Sequence, residues 1–330
     1  RGTGDEAMMT TWVLIPLAAA CLAQPDIGKD KVKEGVAKAL ALVNKAAAGH
    51  AENRECFSCH QQSLPLAAFA AVKKAGLPVD EGWITRQAGH TVAFVEKNRG
   101  QYLSGKGTGG QVDTAGHILL GLAAACHPAD ANTDAIVEYL LKRQAADGHW
   151  NPSSNRPPSE ASAVTTTWLA ASGLKSFGAK REKETGQAIG KALGWLRAVK
   201  PKDTEDRVSR VMGLRTCGGS AEEIMKAAQD LAATQHPDGG WSQTETMASD
   251  AYATATALAA LEWPAADKAR AKAMAFLLSN QKPDGSWHVA SRSKPFQKYF
   301  ETGYPHGKDQ WISSTAAAWA VIAMAPDLAR

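Results

Sequence analysis

The residues best suited to chemistry form one pentapeptide, Cys56-Phe57-Ser58-Cys59-His60. This Cys-x-x-Cys-His string is the attachment pattern of c-type haem. The order matters chemically, because two thiols add to the haem vinyl groups and the adjacent His supplies the proximal iron ligand. A chance match is improbable in a chain with only five Cys. The string therefore predicts one covalent haem, held by Cys56 and Cys59, with His60 on the iron.

Three other interpretations of the pentapeptide stay open. The two Cys could form a disulfide in an oxidising compartment. They could bind zinc together with His60 and one further residue, or they could act as a thiol redox pair. A haem would also imply a redox partner protein and attachment outside the cytoplasm.

An apolar stretch near the amino terminus predicts export. The string TTWVLIPLAAACLAQ after Met9 ends in small residues and is about half as long as a bilayer span. We expect an export signal over 8–23, with residues 1–7 upstream of it, and a periplasmic or other extracytoplasmic protein. Lipidation of Cys21 would add membrane association, and a buried amino-terminal helix is the alternative.

A second group of candidates is acidic and stands where apolar helices are expected to begin. Its members are Asp113, Glu160, Asp203, Glu205, Asp206, Asp250 and Asp309. Helix capping explains such positions, since Asp at an N-cap stabilises a helix by roughly 0.5–2 kcal/mol. If the acids line an apolar cavity, burial would instead raise their pKa values and leave a protonated acid for catalysis.

Apolar residues at helical spacing, interrupted by Gly, Pro and Asp, divide the chain into helix pairs. The predicted pairs are 30–48 with 60–76, 82–98 with 113–126, 131–144 with 160–177, 184–199 with 205–216, 220–234 with 249–261, and 266–280 with 310–325. The first helix of each pair has a polar face, and the second is apolar nearly all round, which predicts burial. We therefore expect an all-α protein of six helical hairpins in one domain over 28–330.

Three strings follow the pattern Gln, three residues, Gly, one residue, Trp. They are QAADGHW at 144–150, QHPDGGW at 235–241 and QKPDGSW at 281–287. Asp-Gly or Gly-Gly ends a helix and turns the chain. The Trp can then pin the turn onto the next repeat.

The three strings resemble the QW repeat of the squalene cyclase and protein prenyltransferase superfamily. The resemblance implies an α/α toroid, with inner helices around an apolar cavity that accepts an isoprenoid-type ligand. In such a toroid the inner helices point the same way, so their amino termini gather at one mouth. The resemblance therefore places the haem motif and the acids at a common entrance.

Squalene–hopene-type cyclases use Asp-x-Asp-Asp at an inner-helix start to protonate an alkene. Asp203-Thr204-Glu205-Asp206 is similar, with Glu205 at the position of the proton donor, although it lacks two adjacent Asp residues. Arg207 could pair with one of these carboxylates and keep it ionised.

The prenyltransferase branch binds zinc through an Asp-x-Cys pair and a later His. Asp250 is kept here, but Tyr252 stands in the place of the Cys and Ile312 in the place of the His. No zinc is therefore expected. Asp250 and Tyr252 remain candidate residues of the mouth.

The loop over 288–310 is long and aromatic, and loops of this length are usually functional or mobile. One interpretation makes it a lid over the mouth, with Tyr304 and His306 facing ligand and Glu301 or Asp309 orienting them. The other makes it a folded cap that seals the ring. On the second side of the iron, either His117 or His306 could approach, or the site could be open or carry water.

Three functions follow from these patterns. The first is a haem-dependent oxidoreductase, or binding protein, for an apolar isoprenoid-type molecule. The second is an acid-initiated isoprenoid cyclase or isomerase that uses Glu205 and its neighbours and has no haem, with Cys56 and Cys59 in a structural role. The third is a non-catalytic electron-transfer or binding module. Nucleic acid is not expected as a partner, because the net charge is only +4 and no basic run with interleaved aromatic residues occurs.

Overall fold

The computed structural model describes residues 28–261, 267–295 and 298–329. The predicted export signal and Cys21 lie outside them. Helices occur at α1 (Lys29–Asn53), α2 (Leu64–Lys74), α3 (Glu81–Leu103), α4 (Gln111–Ala124), α5 (Ala131–Arg143), α6 (Ala163–Phe177), α7 (Glu182–Ala198), α8 (Thr204–Cys217), α9 (Ala221–Ala232), α10 (Ala251–Ala260), α11 (Asp267–Asn280) and α12 (Gln310–Met324).

The even-numbered helices form a closed inner ring. Each contacts the next in chain order, from α2 through α4, α6, α8 and α10 to α12, and α12 contacts α2. The odd-numbered helices pack outside this ring. Their apolar stripes face inward, whereas α10 is buried along its whole length. The predicted all-α toroid of six helical hairpins is confirmed.

Two outer helices are longer than the sequence predicts. The predicted helices end at residues 48 and 98, whereas α1 and α3 continue through Gly49 and Gly100. A single Gly weakens a helix by only about 1 kcal/mol, so flanking residues can carry the helix through it. Gly49 also has a packing role, because a Cβ there would lie 2.2 Å from the carbonyl oxygen of Thr302.

The Gln of each QW string connects neighbouring repeats. Its Nε2 donates to the Gly carbonyl of its own turn and to a carbonyl of the next outer helix. The second acceptors are Ala188 for Gln144, Ala269 for Gln235 and Gly35 for Gln281, at 2.8, 2.8 and 2.9 Å. The last of these bonds joins α11 to α1 and so closes the outer ring.

The Trp of each string forms a hydrogen bond within its own hairpin. Its indole N–H donates to the carbonyl of Leu140, Leu231 or Leu277, at the end of its own outer helix, at 2.8–3.0 Å. The rings are fully buried. This bond fastens each turn to its own outer helix, and the Gln supplies a hydrogen bond to the next outer helix.

Two aromatic side chains meet across the axis of the ring. Trp168 on α6 and Trp319 on α12 have ring centroids 6.2 Å apart, although these helices stand on opposite sides. Trp168 lies five residues after the start of α6, which is about 8 Å along the helix. These two rings therefore occupy the axis of the inner ring at this level.

Within the described ranges, none of the helices combines the length and apolar character that crossing a membrane requires.

Candidate functional site

The first turns of the inner helices surround the mouth, and Glu205 is the acid most fully enclosed by hydroxyl groups there. Glu205 is the second residue of α8 and is 7% exposed. Its Oε2 accepts a hydrogen bond from the Tyr252 hydroxyl at 2.9 Å, and its Oε1 accepts one from the Thr165 hydroxyl at 2.9 Å. Three inner helices therefore hold this carboxyl group in place.

The environment of Glu205 favours its neutral form. Burial raises the pKa of its carboxyl group from 4.5 to about 7, against the opposing effect of the hydrogen bonds from Tyr252 and Thr165. The nearby charges of Asp203 and Asp206 add to the rise. A substantial fraction of Glu205 is therefore a carboxylic acid at neutral pH.

A second buried acid, Asp113, lies at the start of α4. It is 1% exposed, and its Oδ1 accepts a hydrogen bond from the Thr166 hydroxyl at 2.5 Å. Its Oδ2 is buried without a hydrogen-bond partner among the described residues. Burial, together with the charge of Glu160, raises the pKa of Asp113 to about 6.

One turn of α6 connects these two acids. Thr165 and Thr166 are adjacent, yet they point to opposite neighbours, so one bonds to Glu205 on α8 and the other to Asp113 on α4. Ser162, the N-cap of α6, donates to Asp206 in the same way. Buried hydroxyls need partners, and here the partners are the carboxyl groups of the mouth.

Two of the predicted site residues, Asp203 and Asp250, act as helix caps. Asp203 accepts from the backbone N–H of Asp206 at 3.0 Å, and Asp250 accepts from that of Ala253 at 2.9 Å. The second oxygen of Asp250 accepts from Gln243 Nε2 at 2.9 Å. The hydrogen bonds from the backbone N–H groups explain why both carboxylates stand at helix starts.

Arg207 affects the pKa of Asp203 and is not among the causes that shift the pKa of Glu205. Burial raises the pKa of Asp203, and Arg207 and Arg292 are among the charges that oppose this rise. Glu205 is governed by burial and by its two hydroxyl partners.

The haem motif opens onto the same mouth. The Cys59 thiol donates to Glu160 Oε1 at 3.2 Å, and Glu160 also forms an ion pair with Arg156. The electrostatic interaction with Cys59 is among the causes that raise the pKa of Tyr252, after burial, Glu205 and Asp250, so the motif and the acid cluster are neighbours. Cys56 is exposed on the rim.

His60 and His117 are both neutral imidazoles at this end of the ring. Burial lowers the pKa of His60 to about 3, and the charges of His50, Arg156 and His117 add to the effect. Burial also lowers the pKa of His117, whose Nδ1 lies 2.9 Å from the Asp113 carbonyl oxygen.

Residues 288–295, which we call the strap, cross the mouth. Ser293 donates from its hydroxyl to the Pro157 carbonyl at 2.8 Å, and Arg292 donates from Nε to Gln243 Oε1 at 2.7 Å. Pro157 precedes α6 whereas the strap precedes α12, and these helices face each other. The strap is therefore joined to the chain that precedes α6, on the opposite side of the inner ring.

Asp309 fixes the base of the strap. Its Oδ1 accepts from the backbone N–H of Ser291 at 2.9 Å, and its Oδ2 interacts with His288 Nε2 at 2.7 Å. This carboxylate lies at a helix start but makes no side-chain cap. Its partners give it a role in positioning the strap.

The structure does not bring Tyr304 and His306 to the acid cluster. Tyr304 is 2% exposed, and its ring centroid lies 6.2 Å from that of His306. His306 Nε2 lies 2.9 Å from the Ser286 hydroxyl, in the third QW turn. No contact among the described residues joins either side chain to Glu205 or His60, so we do not place His306 at an iron.

Several residues of the mouth escaped the sequence analysis. They are Thr165, Thr166, Trp168 and Trp319, together with the unpaired carboxyl oxygen of Asp113. One signal was available, since three consecutive Thr in the apolar stretch of α6 must find hydroxyl partners when buried. The meeting of two Trp across the axis has no sequence signal, because it joins helices more than a hundred residues apart.

Comparison with known proteins supports the architecture. The type II terpene cyclase MstE from Scytonema superposes with a TM-score of 0.59 and 15% identity, over 91% of this chain and 99% of that chain. An MstE variant in complex with geranylgeranyl dihydroxybenzoate, its substrate, superposes with a TM-score of 0.57 and 14% identity, over 90% of this chain and 98% of that chain. A possible GH105-family protein from Klebsiella pneumoniae superposes with a TM-score of 0.54 and 12% identity, over 98% of this chain and 99% of that chain.

One curated relative also matches in sequence. Drimenyl diphosphate synthase from Streptomyces showdoensis is 29% identical over 194 residues, which are 56% of this chain and 28% of that protein. No protein-family profile matches the chain. The protein thus has a terpene cyclase-like toroid fold. The GH105-type similarity shows that this fold alone does not determine the ligand.

Proposed function

We propose that this protein is an acid-initiated cyclase or isomerase of isoprenoid alkenes, with Glu205 as the proton donor. The observation that carries the proposal is a buried carboxyl group, bonded to two hydroxyls, with a pKa of about 7 at the mouth of a terpene cyclase-like toroid. The similarity to MstE and to drimenyl diphosphate synthase supports an isoprenoid ligand.

The chemistry follows from the protonation state of this group. The neutral acid transfers its proton to one carbon of an alkene, and the positive charge develops on the other carbon. Glu205 is left as a carboxylate, whose oxygens already face the hydroxyls of Tyr252 and Thr165. These donors stabilise the anion as it forms and so favour the transfer.

Aromatic rings at the axis of the inner ring would suit the cation that results. The Trp168 and Trp319 rings meet there, and the faces of aromatic rings attract positive charge. Ring closure or loss of a proton then ends the reaction. The strap across the mouth would keep water from the cation.

Asp113 is the competing donor, because it is also buried with a raised pKa. Its unpaired Oδ2 makes it equally suited to take up the proton that ends the reaction. Separate variants of the two acids distinguish these roles.

The test measures turnover of geranylgeranyl dihydroxybenzoate and of linear prenyl diphosphates, with products identified by mass spectrometry. Glu205→Gln should abolish product, because the amide cannot supply the proton. Exposed Glu96, in the middle of α3, gives the matched control Glu96→Gln, which should retain full activity.

Full turnover by Glu205→Gln together with loss of turnover in Asp113→Asn would refute the assignment of Glu205. Binding of these ligands by the unmodified chain without any product would instead indicate a binding module.

A further inference from the structure

The Cys-x-x-Cys-His motif is left unused by acid catalysis, and its local structure is unlike that of the other inner-helix starts. Cys59–Ser63 forms a π-helical turn before α2, so Cys59 and His60 open the first inner helix from a widened turn. π-helical turns are uncommon and are concentrated at functional sites. We propose that Cys56 and Cys59 bind one haem covalently, with His60 as an axial ligand of the iron.

Both thiols are available for this chemistry. Neither Cys56 nor Cys59 is in a disulfide, and Cys56 is exposed on the rim. The contacts of the Cys59 sulfur are a hydrogen bond to Glu160 and a 3.5 Å approach to His60 Nδ1. Among the described residues, no three His, Cys, Asp or Glu side chains are grouped to hold a metal ion. The geometry therefore favours neither the disulfide nor the zinc alternative.

The surroundings of His60 suit a porphyrin. Its ring lies 5.3 Å from Trp311, and Trp311 lies 5.2 Å from Phe300. The Arg54 guanidinium stands 4.1 Å above the Phe300 ring, at the outer edge of this aromatic patch. A porphyrin combines a flat aromatic face with two carboxylate groups, so the patch and its cation complement both parts.

The attachment step conserves atoms and electrons. Each S–H adds across one vinyl C=C bond of haem, with sulfur on the inner carbon and hydrogen on the terminal carbon, so two thioethers form and nothing leaves. Cys59 must release Glu160 for this addition, which is readily met if attachment precedes folding. Once bound, haem would supply electron transfer, which the side chains of the mouth cannot perform, and this would call for a redox partner protein.

This inference is independent of the acid mechanism, because its test does not measure activity. The full chain is produced behind an export signal in bacteria that mature c-type cytochromes. We expect a haem stain that survives denaturing electrophoresis, and an intact mass increased by one whole haem. The double variant Cys56→Ala/Cys59→Ala should lose both signals while its circular dichroism stays unchanged.

Two further variants test whether attachment is specific to this motif and whether His60 binds the iron. Cys126→Ala removes another exposed thiol and should retain the bound haem. His60→Ala should keep the thioethers but alter the Soret band, because only the iron ligand is lost.

A colourless protein of unmodified mass, from cells that load a co-expressed c-type cytochrome, would overturn the inference. Retention of haem by the double Cys variant through denaturation would overturn it as well.

Discussion

Replacement of Glu205 by Gln should change how the stability of the protein depends on pH. In the unfolded chain Glu205 titrates near 4.5, whereas in the folded protein its pKa is about 7. Below the lower value both states are protonated, and the group contributes no pH dependence. As pH rises from 4.5 to about 7, Glu205 loses its proton in the unfolded state first, so folding becomes progressively less favourable.

The size of the effect follows from the two pKa values. Each unit corresponds to about 1.4 kcal/mol, so the rise from 4.5 to about 7 amounts to about 3 kcal/mol. Glu205→Gln removes this penalty, because Gln does not titrate. Relative to the unmodified protein, the variant should therefore gain about 3 kcal/mol of unfolding free energy between about pH 4 and about pH 8.5.

Urea unfolding of both proteins across this range measures the difference. Other titrating groups, Asp113 included, are common to both chains and cancel. Any loss of the hydrogen bonds to Tyr252 and Thr165 adds an offset that hardly varies with pH. The control Glu96→Gln replaces an exposed acid and should give parallel curves. Parallel curves for Glu205→Gln as well would refute the claim that burial holds a proton on Glu205.

Three further predictions concern the surroundings of Glu205 and the ring. Tyr252→Phe removes a hydrogen bond that lowers the pKa of Glu205, so the loss of turnover at high pH should move to higher pH; an unchanged pH profile would contradict the contact. Trp168→Ala should leave space at the axis of the inner ring and, in calorimetric titrations, tighten binding of longer prenyl chains, at the expense of about 3 kcal/mol of unfolding free energy. Gln281→Ala, which breaks the closure between α11 and α1, should lower the unfolding free energy by about 2 kcal/mol; Gln101→Ala, whose amide donates to Asn98 one turn earlier on the same helix in an exposed hydrogen bond, should change it little.

Local patterns in the chain were sufficient to predict the fold. Helical spacing, helix-ending Gly residues and the three QW strings predict alternating outer and inner helices, and the structure has them. They do so because burial of an apolar face and the termination of a helix depend on residues close in sequence. The strings did not by themselves reveal the role of the Gln, whose side chain bonds to the next outer helix.

The sequence by itself determined which helices are buried and that acids and the Cys-x-x-Cys-His motif begin several of them. Only the tertiary structure decided which acid is held neutral. Glu205 and Asp113 each accept a hydrogen bond from a hydroxyl of α6, whereas Asp203 and Asp250 each use one carboxylate oxygen to cap a helix. Enclosure, and hence the pKa, depends on side chains from three helices far apart in the chain, and spacing along one helix does not contain that information.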